Sequence, residues 1–250
     1  MKKRNFKWLR RIGIGLGVIV CGALIVYFIF NEKMPKGETG VKAEALATKI
    51  QAAVNIEAWD TTEAVQWTFK DAHTFLWDKK RHWVKVNWKN NEALIRIDSV
   101  DGRVWEDGKE IKSIKKRDKL LKRGLYFWMN DSFWLNAPAK LFDKGTERRL
   151  VNYEGENALL VTYSSGGVTP GDSYLWRVDE NGLPKSWKLW VKIIPIGGVE
   201  FTWDKWKTTE TGAKIATFHD GLLELPMTDV KTGTLSDFGI KDPFEPLANL

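Results

Sequence analysis

Cysteine is nearly absent from this sequence. The one copy, Cys21, lies inside an apolar run, so no intramolecular disulfide can form and stability must come from an ordinary core. Histidine is scarce as well. Only His73, His82 and His219 are present, with no His-Glu-x-x-His or Cys-x-x-Cys spacing, so no metal motif and no cofactor is indicated. The Gly-x-Ser-x-Gly elbow and the Gly-x-x-x-x-Gly-Lys-Ser/Thr phosphate loop are also missing. Acidic residues are absent from positions 1–11, where Lys2, Lys3, Arg4, Lys7, Arg10 and Arg11 stand. That leader carries +6 of the formal net charge of +7, leaving +1 for everything after it. A nearly neutral remainder has no electrostatic footprint for phosphates, which argues against nucleic-acid binding.

What the sequence does have is one long apolar run. Ile12 to Phe30 is nineteen consecutive uncharged residues. At about 1.5 Å per residue a helix of that length spans the roughly 30 Å hydrocarbon layer of a bilayer. The basic flank stays on the cytoplasmic side, so the segment reads as a single-pass signal anchor with the rest of the chain on the non-cytoplasmic side. A cleaved signal peptide would need a shorter apolar core and a small-residue cleavage site, whereas Asn31-Glu32-Lys33-Met34 follows. A lipoprotein site at Cys21 would need a small residue where Val20 stands. Gly13 and Gly17 have the spacing of a weak helix-dimer face.

Residues 31–40, with Pro35, Gly37 and Gly40, read as a linker, and residues 41–250 as one domain. Ala43, Leu46, Ala47, Ile50, Ala53 and Val54 recur at helical intervals. From Val65 the period changes to two, as in His82-Val84-Val86-Trp88 against Trp83-Lys85-Asn87. Asp101-Gly102, Asp107-Gly108, Glu154-Gly155, Asn181-Gly182 and Thr211-Gly212 are turn signals joining antiparallel neighbours. Ser113 to Met129 interrupts with a helical period; Asn130-Asp131-Ser132 reads as its end, a possible glycosylation sequon, and the cap of a short turn from Phe133 to Leu141. Strands resume near Thr146, at Ala158–Tyr163, Ser173–Asp179, Lys185–Ile194, Val199–Trp206 and Ala213–Phe218, and the tail after Asp237 is predicted extended. The expected class is α+β: a long curled antiparallel sheet, an unclosed barrel, with helices on its concave face.

Fourteen tryptophans stand out in 250 residues. An indole fills much volume but carries one N–H that wants a partner, so it suits pocket walls as well as cores. Trp187-Leu189-Val191-Ile193 alternates with Lys188-Trp190-Lys192-Ile194, which places tryptophans on both faces of one strand. Phe133-Trp134-Leu135-Asn136-Ala137-Pro138 and the stretch from Tyr163 to Asp172 read as special loops. In the second, Gly166, Gly167 and Gly171 permit unusual backbone angles and Pro170 stiffens the return. Ser165 and Asp172 are its only candidates for a catalytic group, and His73 and His82 with Asp78 or Asp131 the only arrangement resembling a metal site.

His73-Thr-Phe-Leu-Trp-Asp78, Asn130-Asp-Ser-Phe-Trp-Leu135, Tyr163-Ser-Ser-Gly-Gly-Val-Thr-Pro-Gly-Asp-Ser-Tyr-Leu-Trp176 and Trp190-Val-Lys-Ile-Ile-Pro-Ile-Gly-Gly198 resemble an uncharacterised group of bacterial envelope proteins. In outline that group is similar to the outer-membrane lipoprotein carriers LolA and LolB. The resemblance implies an unclosed antiparallel barrel wrapped around helices, with an apolar cavity for acyl chains. None of the carriers' functional residues maps onto a position here, and a permanent anchor departs from soluble LolA and from lipid-held LolB.

The expected function is non-enzymatic: a membrane-tethered module that binds an acyl chain, lipid or lipoprotein in an apolar groove. Trp77, Trp134, Tyr163, Tyr174, Trp176 and Trp190 are the candidate ligand-binding residues. Two other readings are a hydrolase of lipid or glycan using Asp131, Asp172 and a histidine, and a structural module with a filled core.

Overall fold

The computed structural model describes residues 4–167 and 169–248. Lys2 and Lys3 of the leader and Val168 of the Gly/Pro loop fall outside the described residues. Helix α1, Arg4–Phe30, contains a stretch, Arg10–Phe30, whose mean hydropathy is 2.6 and whose apolar window is not buried against the rest of the protein. It is long and apolar enough to cross a membrane.

The remainder is α+β, as the change of period predicts. Nine strands form one antiparallel piece. Their order is β12 (Asp204–Thr208), β13 (Lys214–His219), β14 (Leu225–Gly233), β1 (Ala64–Phe69), β2 (His73–Asp78), β3 (Trp83–Trp88), β4 (Asn91–Arg96), β5 (Asp101–Glu106) and β6 (Lys109–Glu110). Five form the other: β11 (Val199–Thr202), β10 (Pro184–Trp190), β9 (Asp172–Val178), β8 (Glu156–Tyr163) and β7 (Thr146–Tyr153). Only Trp203 separates β11 from β12. Its N–H donates to the Lys185 carbonyl at 2.8 Å, while the Thr202 N–H donates to the Asp220 carbonyl at 2.8 Å. The run predicted from Val199 to Trp206 is thus one strand serving both pieces and broken at Trp203. The end strands β6 and β7 do not pair with each other, so the curled sheet stays open.

Alternation determines which face is which. In β3, Val84, Val86 and Trp88 are buried while Trp83, Lys85 and Asn87 are partly exposed. Turns such as Asp107-Gly108 and Glu154-Gly155 hold both residues at positive φ, the twist that two-residue hairpins need. Helix α2, Val41–Ala53, lays Ala43, Ala47 and Ile50 on the concave side beside β7 and β8, and α3, Ile56–Thr61, buries Trp59.

Helix α4, Ile114–Asn136, crosses the concave face against β3, β4, β5 and β13. It corrects the predicted helix end at Asn130-Asp131-Ser132, which is continuous helix with Asp131 and Ser132 buried. Those three residues disfavour helix by only about 0.5 kcal/mol each. Here an Asp131–His73 bond of 2.7 Å and the packing of Trp128, Phe133 and Trp134 on either side outweigh that preference.

Strand β14 has no clear alternation, and the sequence reading passes over it. The tail after Asp237 is not extended: Phe244 and Leu247 are buried against Leu76 and Leu94 on the convex face of the nine-stranded piece. Arg81 clamps it, with bonds of 2.7 and 2.9 Å to Asp242 and a 2.5 Å bond to buried Asp78.

Gly124 is a close approach of α4 to the sheet. A Cβ there would lie 3.0 Å from Ile95 Cδ1 and 3.4 Å from the Trp88 ring. Gly124→Leu is expected to overpack this crossing and destabilise the domain by about 1–3 kcal/mol. Thermal unfolding should register this as a loss of about 3–10 °C. An unchanged midpoint would mean that α4 does not sit this tightly.

Candidate functional site

The concave face carries an aromatic cluster built by α4 and the five-stranded piece. Trp176 on β9, Trp187 on β10 and Trp203 at the strand break have ring centroids 4.7, 4.9 and 5.1 Å apart. Helix α4 adds Trp134, 5.0 Å from Trp187, and Phe133, 5.1 Å from Tyr174. Tyr163 lies 5.7 Å from Tyr174. A second group lies under the other half of α4, where Trp77 on β2 meets Trp128 at 5.2 Å and neighbouring Trp67 stacks on Phe75 at 4.5 Å.

The structure therefore brings together Trp134, Tyr163, Tyr174 and Trp176, with Trp77 in the adjoining group. Trp190 is elsewhere. It faces the convex side, packs beside Leu160 and Leu175, and donates from Nε1 to the Glu32 carbonyl at 2.9 Å. The strict alternation of β10 sends Trp187 inward and Trp190 outward, so the two cannot share one site.

Among the described residues, the indole nitrogens of Trp67, Trp77, Trp128, Trp176, Trp187 and Trp203 and the Tyr163 hydroxyl are buried without a partner. Leaving such a group unmet costs about 1–3 kcal/mol. Burial pushes the Tyr163 phenol well above its ordinary range, and burial, then the charge of Asp172, does the same to Tyr174. Both stay protonated and offer O–H donors. The unmet capacity of the interior is thus mainly donor, in surroundings that are mainly apolar.

Two groups to which the sequence reading gives no specific role lie at the margins of these clusters. Lys79 donates to the Trp59 carbonyl, with its ammonium 4.2 Å from the Trp59 ring centroid and 6.0 Å from that of Trp77. Burial lowers its pKa to about 8. The other is His219, fully buried between Trp203 and Trp134, with ring centroids at 4.5 and 5.3 Å. Its Nδ1 lies 2.8 Å from the Thr202 carbonyl and its Nε2 3.0 Å from the Trp134 carbonyl.

Gly166, Gly167 and Gly171 all take positive φ. The Ser164 and Ser165 hydroxyls donate to the Gly145 and Lys144 carbonyls at 2.8 and 2.9 Å. Asp172 accepts from the Lys192 N–H at 3.0 Å and from the Thr169 hydroxyl, while the Pro170 carbonyl accepts from the Lys192 ammonium. Ser165 and Asp172 are thus engaged in holding the loop, and no described histidine is bonded to either.

Asp131 does meet His73, which stacks on Phe127 at 3.9 Å. His82, however, pairs at 3.3 Å with Asp98 at the opposite end of the β2–β3 hairpin, so the two histidines do not share a site. No three potential metal ligands gather among the described residues. Two surface hollows, of about 310 and 470 Å³, are lined respectively by residues such as Lys207, Glu210 and Asp229 and by Arg81, Leu235 and Asp242. Neither includes an aromatic residue of the concave clusters.

His219 generates a pH dependence. Two carbonyl acceptors favour the doubly protonated ring, but burial with no bonded carboxylate disfavours it more and lowers the pKa to about 4, from 6.5. Between these values the unfolded chain binds the extra proton and the folded one does not, so stability falls as pH drops from 6.5 towards 4. Carried down to pH 4, this corresponds to about 3 kcal/mol lost. Unfolding midpoints across this window should decline, and His219→Gln should flatten the decline. A titration by NMR placing His219 above 6.5 would contradict this.

No family model and no curated protein matches the chain. Among solved structures it is similar to a DUF1329 family protein from Desulfovibrio piger, at 10% identity and a TM-score of 0.41, covering 83% of this chain and 98% of that one. The likeness is too distant to carry fold or function from one chain to the other.

Proposed function

We propose that the outer domain is a non-enzymatic module that binds an acyl-bearing lipid or lipoprotein chain on its concave face. In this reading it is tethered to a bacterial inner membrane by residues 12–30, with the basic leader in the cytoplasm. The observation that carries the proposal is the set of six buried indole N–H groups and one phenol without partners in an apolar interior. An acyl chain ending in an ester or carboxylate is the complementary guest: apolar along its length, and an acceptor at its head. Transfer of the chain contributes at most about 0.8 kcal/mol per CH₂, so no charged clamp is required.

Entry would require the guest to part α4 from the sheet. The edge beneath residues 164–171, where Phe133, Tyr163 and Tyr174 meet, is the natural place for it. Its ring centroids lie 5.1–5.7 Å apart. A second reading, a structural module with a filled core, is favoured by the same close ring contacts and by surface hollows whose linings include none of the concave aromatic rings.

Delipidated protein beginning at Asn31, titrated with a fluorescent fatty acid, should bind one equivalent. Trp187→Phe keeps a ring but removes one donor, and is expected to weaken binding about fivefold, the equivalent of about 1 kcal/mol. A clean apo mass in native mass spectrometry, with no fatty-acid binding, would overturn the proposal in favour of the filled core.

A further inference from the structure

The linker predicted between anchor and domain is not a free tether. The Asn31 N–H still donates to the Tyr27 carbonyl at 2.8 Å, so the backbone bonding of α1 runs up to the first linker residue. The next residue is already docked: the Glu32 N–H donates to the Gly197 carbonyl, and the Gly197 N–H to Asn31 Oδ1, both at 2.9 Å. Lys188 pairs with the Glu32 carboxylate at 2.5 Å, and Trp190 Nε1 donates to the Glu32 carbonyl. A side chain on Gly197 would overlap the Trp190 ring and the Glu32 backbone, and one on Gly198 would overlap the Glu32 side chain. Residues 191–198 are therefore fastened directly to the end of the apolar helix, with no slack between them.

The neighbouring connections share that end of the sheet. Leu189 pairs with Val199 across 191–198, and His219 pairs with Leu225 across 220–224. Gly221 packs on the Glu200 carbonyl and the Phe201 ring, which places 220–224 beside β11. Both connections expose apolar side chains that the fold does not use: Ile193 at 62%, Leu222 at 69% and Leu223 at 47%. The charges beside them are mixed, Lys192 against Asp220 and Glu224.

We propose that residues 191–198 and 220–224 form a second membrane contact, in which Ile193, Leu222 and Leu223 enter the bilayer interface next to the anchor. The partner is the lipid surface. A chain whose apolar helix ends at Phe30 and whose docked segment begins at Asn31 places these loops at the interface, where exposed leucine and isoleucine gain by burial. The mixed charges give no preference for anionic lipid, so the contact is apolar. This inference rests on the anchor of the proposed function and is independent of lipid binding on the concave face. It also orients the domain, with the Asn181-Gly182 turn at the opposite end of β10 facing away from the membrane.

Full-length protein carrying Cys21→Ser and one new cysteine, Val18→Cys, Ile193→Cys, Leu222→Cys or Asn181→Cys, can be labelled with an environment-sensitive dye. Each is placed in phosphatidylcholine vesicles containing nitroxide lipids. Val18 should be quenched by deep nitroxides. Ile193 and Leu222 should be quenched by interfacial ones about twofold or more beyond Asn181. If Val18 is quenched while Ile193 and Leu222 both behave like Asn181, the second contact is wrong and the anchor stands. An unquenched Val18 would remove both.

Discussion

The concave face of an open, curled sheet has to be filled by side chains wider than aliphatic ones, and here tryptophan does most of that filling. Trp176, Trp187 and Trp203 meet where the two pieces of sheet join, and Trp134 of α4 closes over them. The strand break at Trp203 turns its ring into this cluster, so the change of pairing partner and the aromatic packing are one event. The cost of using indole is its N–H. A core made only for stability would be served by phenylalanine, which leaves no donor unmet. Six indoles are buried in that state among the described residues, and the proposal of an acyl guest rests on them.

The segments flanking the domain do matching work on the convex side. Residues 31–38 run over the five-stranded piece, where Glu38 bridges Leu150 and Trp190 holds Glu32, next to buried Val151, Leu160 and Leu175. The tail covers Leu76 and Leu94 on the nine-stranded piece through Phe244 and Leu247, under the Arg81–Asp242 clamp. One cover continues into the apolar helix, so the same contacts that hide convex apolar surface also fix the domain to the end of that helix. The turn between β8 and β9 and the 191–198 connection fastened to the apolar helix lie towards the same end of the sheet.

Much of this architecture is legible in the sequence because it depends on local patterns. Val84-Val86-Trp88 against Trp83-Lys85-Asn87 and the Asp-Gly and Glu-Gly turns specify β3 and its neighbours without reference to the rest of the chain. Features set by long-range contact are not legible. Helix α4 runs through Asn130-Asp131-Ser132 because His73 and the surrounding rings hold it. Strand β14 hides behind a register shift against β1, at Gln66/Thr68, and a positive φ at Asp229. For the site, composition identified aromatic residues and Gly/Pro geometry, and alternation alone separates Trp187 from Trp190. The roles of His219 and Lys79 depend on carbonyls and rings distant in sequence or contributed by other elements, which no spacing announces.

The central claim is that the buried indole donors await an acceptor. Its most direct test is the ¹⁵N–¹H spectrum of the indole groups in protein beginning at Asn31, recorded with and without saturating fatty acid. Nε1–H resonances of Trp176, Trp187 and Trp203 should move downfield as the guest is added, while that of Trp206, already donating to the Trp203 carbonyl at 3.0 Å, stays in place. Interior resonances that remain fixed throughout would contradict the account and leave tryptophan as core alone.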